Sequence, residues 1–251
     1  MGDAAPEMNR SPVKDLPFVE RVYEFDEIDS TNTFALSLNS GPGTGLYVIS
    51  ARRQTGGRGQ RGNSFCSSFD GGLWLSLVVP LADVGEHFRV NRSLALAACD
   101  ALESTAGLRC GLKWPNDLIV NKRKIGGILL EVSTRAPGAV VAGIGVNANF
   151  GTDALPVELR ELATTVLSET GRPIDVNGLL HRLVTGFNRR LHADAEREGQ
   201  AYRDRLVGVG AAAVIGDTSG TFAGVDASGR ACLKCADGER FFFSGPLRFV
   251  S

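Results

Sequence analysis

The chain has 251 residues, 43% of them hydrophobic and 22% charged, proportions that exclude disordered and fibrous classes and allow one large domain or two unequal ones. A net charge of −1 supplies no global field for holding nucleic acid, so any anion-binding role must be local. No apolar run approaches the roughly 18 residues a membrane helix needs, which excludes that class.

Residues 1–17 are polar, carry prolines and acids ahead of any apolar stretch, and read as a flexible tail rather than a secretory signal. Pro6 stands where a myristoylation motif needs Ser or Thr. A cytoplasmic protein is the expectation. The five cysteines are odd in number and scattered, so no disulfide framework is indicated.

A strand is predicted over 21–28. It leads into Asp29-Ser30-Thr31-Asn32, side chains suited to capping a helix whose apolar face is Phe34, Ala35 and Leu38. A strand over 45–51 feeds directly into Gly57-Arg58-Gly59-Gln60-Arg61-Gly62, and residues 73–79 form a strongly apolar strand closed by Pro80. Val90, Leu94, Ala97, Ala98, Ala101 and Leu102 recur at helical steps, predicting a helix over 86–105 that ends at Gly107. Strands over 117–121, 124–133 and 139–147 follow, the first two joined by the tight turn Asn121-Lys122-Arg123. Helices are predicted over 157–169 and 177–197, the second with Leu180, Leu183, Val184, Phe187 and Leu191 on one face. After Leu206 the runs become short and alternating, with turns at Asp226, Ser228-Gly229 and Asp237-Gly238, which reads as a small all-β barrel.

The loop at 57–62 has G-x-G-x-x-G spacing, but the segment after it (three serines, two glycines and no apolar stripe) is a poor helix, so the dinucleotide reading loses its βαβ unit. Glycines let a backbone approach a ligand closely, and Arg58 and Arg61 can clamp carboxylate or phosphate oxygens with paired donors. The plain alternative is a solvated basic turn. Lys113-Trp114-Pro115-Asn116-Asp117 sets a cation, an amide and a carboxylate in a turn stiffened by proline, although Pro-Asn-Asp is also ordinary turn chemistry. Lys124-Ile125-Gly126-Gly127 opens a strand with a lysine, and Gly143-Ile144-Gly145-Val146-Asn147 ends one with an asparagine. Cys232-Leu233-Lys234-Cys235 has metal-like spacing without a second pair nearby, and no metal site is predicted. Trp74 and the long helices read as scaffold.

Together, Asp29-Ser30-Thr31-Asn32, the segment 54–62, Lys113-Trp114-Pro115-Asn116-Asp117, Lys124-Ile125-Gly126-Gly127-Ile128-Leu129 and Gly143-Ile144-Gly145-Val146-Asn147 resemble the biotin protein ligase family in order and spacing. The resemblance implies an α+β fold: a mixed or antiparallel sheet packed by helices, of the class II synthetase-like kind, over 18–205, and a small SH3-like β-barrel over 206–251. It implies that biotin and ATP condense to biotinyl-5′-adenylate, which then acylates a lysine of a biotin carboxyl carrier domain, and that Mg²⁺ accompanies the ATP. By position, Ser30, Thr31, Asn32, Gln54, Gly57, Arg58, Gly59, Gln60, Lys124 and Gly127 would bind biotin. Arg58, Arg61, Phe65, Lys113 and Asn147 would bind ATP or the adenylate. Arg58, Lys113, Asp117 and Lys124 would carry the chemistry, the cations neutralising anions brought together and Asp117 orienting the acceptor amine.

This sequence departs from the family pattern at Gln60, where a second consecutive Arg is commonest, and at Phe65, where the stacking aromatic is often Trp. Only 29 residues precede Ser30, too few for the DNA-binding domain of bifunctional relatives, so a ligase without nucleic-acid or membrane partners is expected, as a monomer or homodimer. The rival readings are a lipoyl or octanoyl transferase, which shares the catalytic fold, and a non-catalytic binding module. A ligand-specific adenylation assay separates the first rival, and biotin-dependent ATP–pyrophosphate exchange separates the second.

Overall fold

The computed structural model describes residues 11–81, 83 and 86–250. Strands β1 (Val19–Ile28), β2 (Leu46–Gln54), β3 (Leu73–Pro80), β4 (Gly111–Lys113), β5 (Asp117–Val120), β6 (Arg123–Val132) and β7 (Ala139–Val146) form one seven-stranded sheet in the order β1-β2-β3-β7-β6-β5-β4. β1 and β2 run parallel, bridged by helix α1 (Thr31–Ser37), and the remaining neighbours are antiparallel. The sheet is therefore mixed. β3 lies near its centre, and the run Leu73–Val79, apolar except for Ser76, is buried throughout, as a strand covered on both faces requires.

Helices α2 (His87–Ala106) and α4 (Val176–Leu191) pack together on one face of the sheet. The stripe Leu180, Leu183, Val184, Phe187 and Leu191 is buried as its spacing predicts, and a large side chain such as Phe187 contributes roughly 1.5–3 kcal/mol by leaving water. α2 stops at Gly107, whose left-handed φ of 70° is a conformation that a Cβ disfavours. The β5–β6 turn also holds: Asn121 and Lys122 take φ of 47° and 67°, as a two-residue hairpin of matching twist demands.

Two helix expectations fail, for different reasons. Residues 157–169 do not form one helix but a single 3-10 turn, Val157–Leu159, and the short helix α3 (Val166–Thr170). Between them the backbone pairs with β6, Lys124 N donating to Leu162 O at 2.9 Å and Thr164 N to Lys124 O at 2.8 Å. Those groups are spent on a tertiary bridge and cannot close helical turns. Residues 177–197 divide into α4 and α5 (Ala195–Arg205), because Asp194 accepts from Arg197 N and starts a new helix. The short β4 was also outside the sequence reading.

The C-terminal strands β8 (Ala212–Ile215), β9 (Thr218–Val225), β10 (Ala231–Cys235), β11 (Gly238–Phe242) and β12 (Leu247–Phe249) form an antiparallel sheet in the order β11-β10-β9-β8-β12. This is consistent with an SH3-like unit, although β11 and β12 remain edges and no ring closes. Ala213, Phe222, Leu233 and Leu247 share one continuous core with Leu96 and Phe187. Val207 N donates to Leu112 O at 2.9 Å, and the buried Trp114 Nε1 donates to Gly229 O at 2.9 Å. At the other end, Val13 is fully buried in that core, so residues 11–17 are docked where a tail was expected. Residues 1–10 of that expected tail lie outside the described residues.

Candidate ligand-binding cleft

Side chains two apart on a strand share a face, and register carries that parity across the sheet. On the α1 face, Ser76 of β3 lies beside Gly143 of β7, which lies beside Leu129 of β6. The next row runs Trp74, Gly145, Gly127 and Asp117. Three glycines in adjoining positions leave a depression, and neighbouring side chains enter it. A Cβ at Gly143 would lie 2.2 Å from Asn32 Oδ1, one at Gly145 would lie 2.6 Å from the Phe65 ring, and one at Gly127 would lie 3.2 Å from Lys124 Nζ. The glycines of the two strand motifs thus serve close approach rather than turns.

α1 delivers the floor. Ser30 caps the helix by accepting from Thr33 N at 3.4 Å, which leaves Thr31 and Asn32 at its first turn over the glycine rows. Thr31, Asn32 and Gln54 are 3%, 4% and 8% exposed. Gln54 Oε1 accepts from Thr31 N at 2.8 Å and lies 3.1 Å from Thr31 Oγ1, and its Nε2 donates to Ser67 Oγ at 3.1 Å. Asn32 Nδ2 donates to Glu131 Oε2 at 2.8 Å. Buried polar groups linked in this way form a fixed, uncharged surface.

The rim is cationic. The loop after β2 is an excursion closed by Gly59 N to Asn63 O at 2.7 Å and Phe65 N to Gly57 O at 2.9 Å, and its tip turns at Arg61 (φ 59°) and Gly62 (φ 77°). Arg58 Nη2 reaches back to Glu131 Oε2 at 2.6 Å. Lys124 Nζ lies 2.6 Å from Asp117 Oδ1 and 5.8 Å from the Phe65 ring centre. Lys113 lies 5.7 Å from the ring of Phe249 in β12. The turn between β4 and β5, whose Trp114–Pro115 peptide is cis, is pinned by Asn91 Nδ2 donating to Pro115 O at 3.2 Å and by Asn116 Nδ2 donating to Ile128 O.

Behind Lys124, Glu169 braces the hairpin turn. It accepts from Thr164 Oγ1 at 2.5 Å, Asn121 Nδ2 at 2.6 Å and Arg123 Nη2 at 2.8 Å. Burial pushes its pKa up, but these donors and the Arg123 charge hold it below the ordinary carboxylate value.

The resulting cleft encloses about 320 Å³. Of the site residues predicted from sequence, Ser30, Thr31, Asn32, Gln54, Arg58, Gly59, Gln60, Arg61, Phe65, Lys113, Asp117, Lys124 and Gly127 all line it. Gly57 and Asn147 are not among the lining residues. A Cβ at Gly57 would collide with Ser67 Oγ and Phe65 O, so that glycine serves the loop's packing. Asn147 is 5% exposed, and its Nδ2 is committed to Thr164 O at 3.0 Å. Sequence reasoning missed Trp114, Leu129 and the segment Gly245-Pro246-Leu247-Arg248, which the C-terminal sheet brings to the rim. It also missed Ser76 and Glu131, which hold the floor from behind. Ser76 did leave a signal, a lone hydroxyl in an apolar strand, whereas Arg248 left none.

Among the lining residues, the cations Arg58, Arg61, Lys113, Lys124 and Arg248 face a single carboxylate, Asp117. Fold and cleft together define a protein that binds a small molecule with an uncharged polar head and several negative charges further along. Comparison with known proteins narrows that class. The family model of the biotin/lipoate A/B protein ligases matches residues 24–149. The biotin–[acetyl-CoA-carboxylase] ligase of Paracoccus denitrificans is 34% identical over 233 residues, covering 84% of this chain and 93% of the relative. The bifunctional ligase/repressor BirA of Bacillus subtilis (strain 168) is 28% identical over 88% of this chain and 72% of its own length. Among solved structures, the biotin protein ligase of Aquifex aeolicus in complex with biotin and ATP superposes with a TM-score of 0.78 at 25% identity, covering 92% of this chain and all of that one. The chain belongs to the biotin/lipoate A/B protein ligase family.

Proposed function

We propose that this protein is a biotin protein ligase, which activates biotin with ATP and transfers it to a lysine of a biotin carboxyl carrier domain such as that of acetyl-CoA carboxylase. One observation carries the biotin assignment within the family: the deep end of the cleft is a buried floor of amide and hydroxyl groups, Thr31, Asn32 and Gln54. A ring carrying a urea satisfies such a floor. An alkyl chain or dithiolane would leave it unpaired, at a cost of about 1–3 kcal/mol for each orphaned group.

In the first step a biotin carboxylate oxygen attacks the α-phosphorus of ATP. The Pα–O–Pβ bond breaks, and pyrophosphate leaves with the bond's electrons. Two anions meet, and Arg58, Lys124 and Lys113 lower the barrier by carrying fixed positive charge where negative charge accumulates. Arg58 and the Gly59 backbone hold carboxylate and α-phosphate, with Arg61 and Gln60 at the loop tip and Phe65 against the adenine. In the second step the acceptor lysine amine attacks the biotinyl carbonyl, the C–O bond to the phosphate breaks, and AMP leaves as the amine sheds its proton. Asp117, facing Lys124, orients the incoming amine.

Mg²⁺ is expected with the triphosphate, whose oxygens hold a hard cation without a dedicated carboxylate cage, and among the described residues no cluster of His, Cys, Asp or Glu offers one. No helix among the described residues is long and apolar enough to cross a membrane. With ATP and a carboxylase carrier as its substrates, we assign the protein to the cytoplasm, without a nucleic-acid partner, as a monomer or homodimer. We take residues 18–205 as the catalytic unit and 206–251 as an SH3-like unit that completes its rim.

ATP–pyrophosphate exchange tests the reading. Biotin-dependent exchange, weakened at least tenfold by Lys124→Ala and by Arg58→Ala, is the expected result. Exchange driven by lipoate or octanoate but not by biotin would overturn it in favour of the other branch of the family.

A further inference from the structure

Ser76 is fully buried in the middle of β3, behind the cleft floor. Its Oγ lies 2.7 Å from Thr31 Oγ1 and 2.5 Å from Asn32 Oδ1. The Asn32 amide is oriented from its other end, where Nδ2 donates to Glu131 Oε2 at 2.8 Å and Leu129 O at 3.3 Å. Turned over, it would set oxygen against the Glu131 carboxylate, so Oδ1 must face Ser76. An amide oxygen cannot donate, and the single Ser76 proton therefore belongs to the 2.5 Å contact.

Gln54 is fixed in the same way. Its Nε2 donates to Ser67 Oγ at 3.1 Å, and its Oε1 accepts from Thr31 N at 2.8 Å. Thr31 Oγ1 then stands 2.7 Å from Ser76 Oγ and 3.1 Å from Gln54 Oε1 with one proton of its own. That proton takes the shorter contact, to Ser76 Oγ, and leaves Thr31 Oγ1 and Gln54 Oε1 as acceptor against acceptor. The floor is one proton short.

We propose that Ser76 is a positioning residue that sets the polarity of this pocket: by spending its proton on Asn32, it leaves Thr31 Oγ1 and Gln54 Oε1 as a paired acceptor that demands an N–H donor from the ligand. This rests on the biotin reading, since the ring urea of biotin offers such an N–H whereas the dithiolane of lipoate and the chain of octanoate offer none. Without the Ser76 hydroxyl, the Thr31 proton turns to Gln54 Oε1, the deficit disappears, and the pocket no longer requires a donor. Glu131 has a part in the chain, because its Oε2 holds both Asn32 Nδ2 and Arg58 Nη2. The orientation of the floor and the position of the clamp are thereby set by one carboxylate oxygen.

The test measures ATP–pyrophosphate exchange driven by biotin and by lipoate, in wild type, Ser76→Ala, Ser76→Cys, Thr31→Val and the Ser76→Ala/Thr31→Val double variant. Ser76→Ala is expected to raise the biotin KM about tenfold, change kcat less than about twofold, and lower the biotin-to-lipoate preference by the same factor as the KM. Ser76→Cys, which keeps a weaker donor, is expected between the two, and it carries the test if the alanine variant does not fold. Thr31→Val is expected to add little once Ser76 is gone, because the pair acts as a unit. An unchanged preference in the folded variants, or fully additive penalties, overturns the proposal. Absence of biotin-dependent exchange in the wild type overturns the biotin reading itself, and this proposal with it.

Discussion

The floor of the cleft and the loop that overhangs it hold ligand-facing groups in contrasting ways. Thr31, Asn32 and Gln54 are 3–8% exposed and fixed by hydrogen bonds to one another and to the strands beneath. Arg58, by contrast, keeps a side chain 41% exposed and leans on one carboxylate, Glu131, while Arg61 and Asn63 lie open to solvent around a left-handed turn. A buried, fixed floor can select a head group by shape and by donor–acceptor pattern. An exposed cation on a loop selects little, but it can move from a protein carboxylate to a ligand carboxylate at small net cost, because exposed ion pairs contribute about 0–1 kcal/mol. Selection is thus assigned to the sheet and α1, and charge neutralisation to the loop and the hairpin lysines.

That division can be broken or sharpened by substitution. The largest effect is expected at Lys124, which sits on the rigid hairpin but acts on charge. Lys124→Ala should lower kcat/KM for pyrophosphate exchange by about 10²–10³-fold with little change in Tm, and a loss below about tenfold would remove it from the reacting centre. Arg58→Ala should follow, with a loss of about 10–100-fold. Arg58→Lys should recover only part of it, since a point charge lacks the guanidinium fork, and full recovery would show that charge alone suffices in the loop.

Gly143→Ala tests the floor. The new Cβ would lie 2.2 Å from Asn32 Oδ1, so about 1–3 kcal/mol of strain is expected. It should appear as a lower Tm and a roughly tenfold weaker biotin affinity by calorimetry. Normal affinity would mean that Asn32 is free to move and the floor is not rigid. A smaller effect is expected at Gln60→Arg, which restores the cation commonest in the family loop. It should slow adenylate release a few-fold, as an added charge-assisted contact would, and equal release rates would show that the loop tip plays no part in retention.

The smallest effect is on acid stability, through Glu169. Its carboxylate is held below the ordinary value of 4.5 in the folded protein. It therefore stabilises the fold at pH above 4.5, and that contribution is lost as pH falls below 4.5 through the lower folded value. Tm followed down that range should drop more steeply for the wild type than for Glu169→Gln. Parallel curves would exclude Glu169 as the brace behind Lys124.

Local patterns in the sequence were enough for most elements. The period of α4, the apolar run of β3, the stop at Gly107 and the tight turn after Val120 are local signals, and each acts locally in the structure. The floor and rim were legible too, through the motif resemblance rather than through periodicity: Thr31, Arg58 and Lys124 lie far apart in sequence yet line one cleft. What the sequence could not decide depends on pairing between distant segments. Residues 157–169 carry a helical pattern, but the backbone between Leu159 and Val166 is claimed by Lys124 across the sheet. Arg248 reaches the rim only because the C-terminal sheet is fastened to Trp114 and Leu112.

Ser76 shows the limit most sharply. In the string Leu73-Trp74-Leu75-Ser76-Leu77-Val78 it is one polar residue in an apolar strand, with no indication of a partner. Only register, which sets it beside Gly143 and under Asn32, converts that residue into the proton that orients the pocket. Sequence by itself determined which residues could do the chemistry, because side-chain type and local propensity are properties of short segments. Tertiary structure decided which acceptors face which donors, because a hydrogen bond has one proton to give and its direction depends on every neighbour within reach.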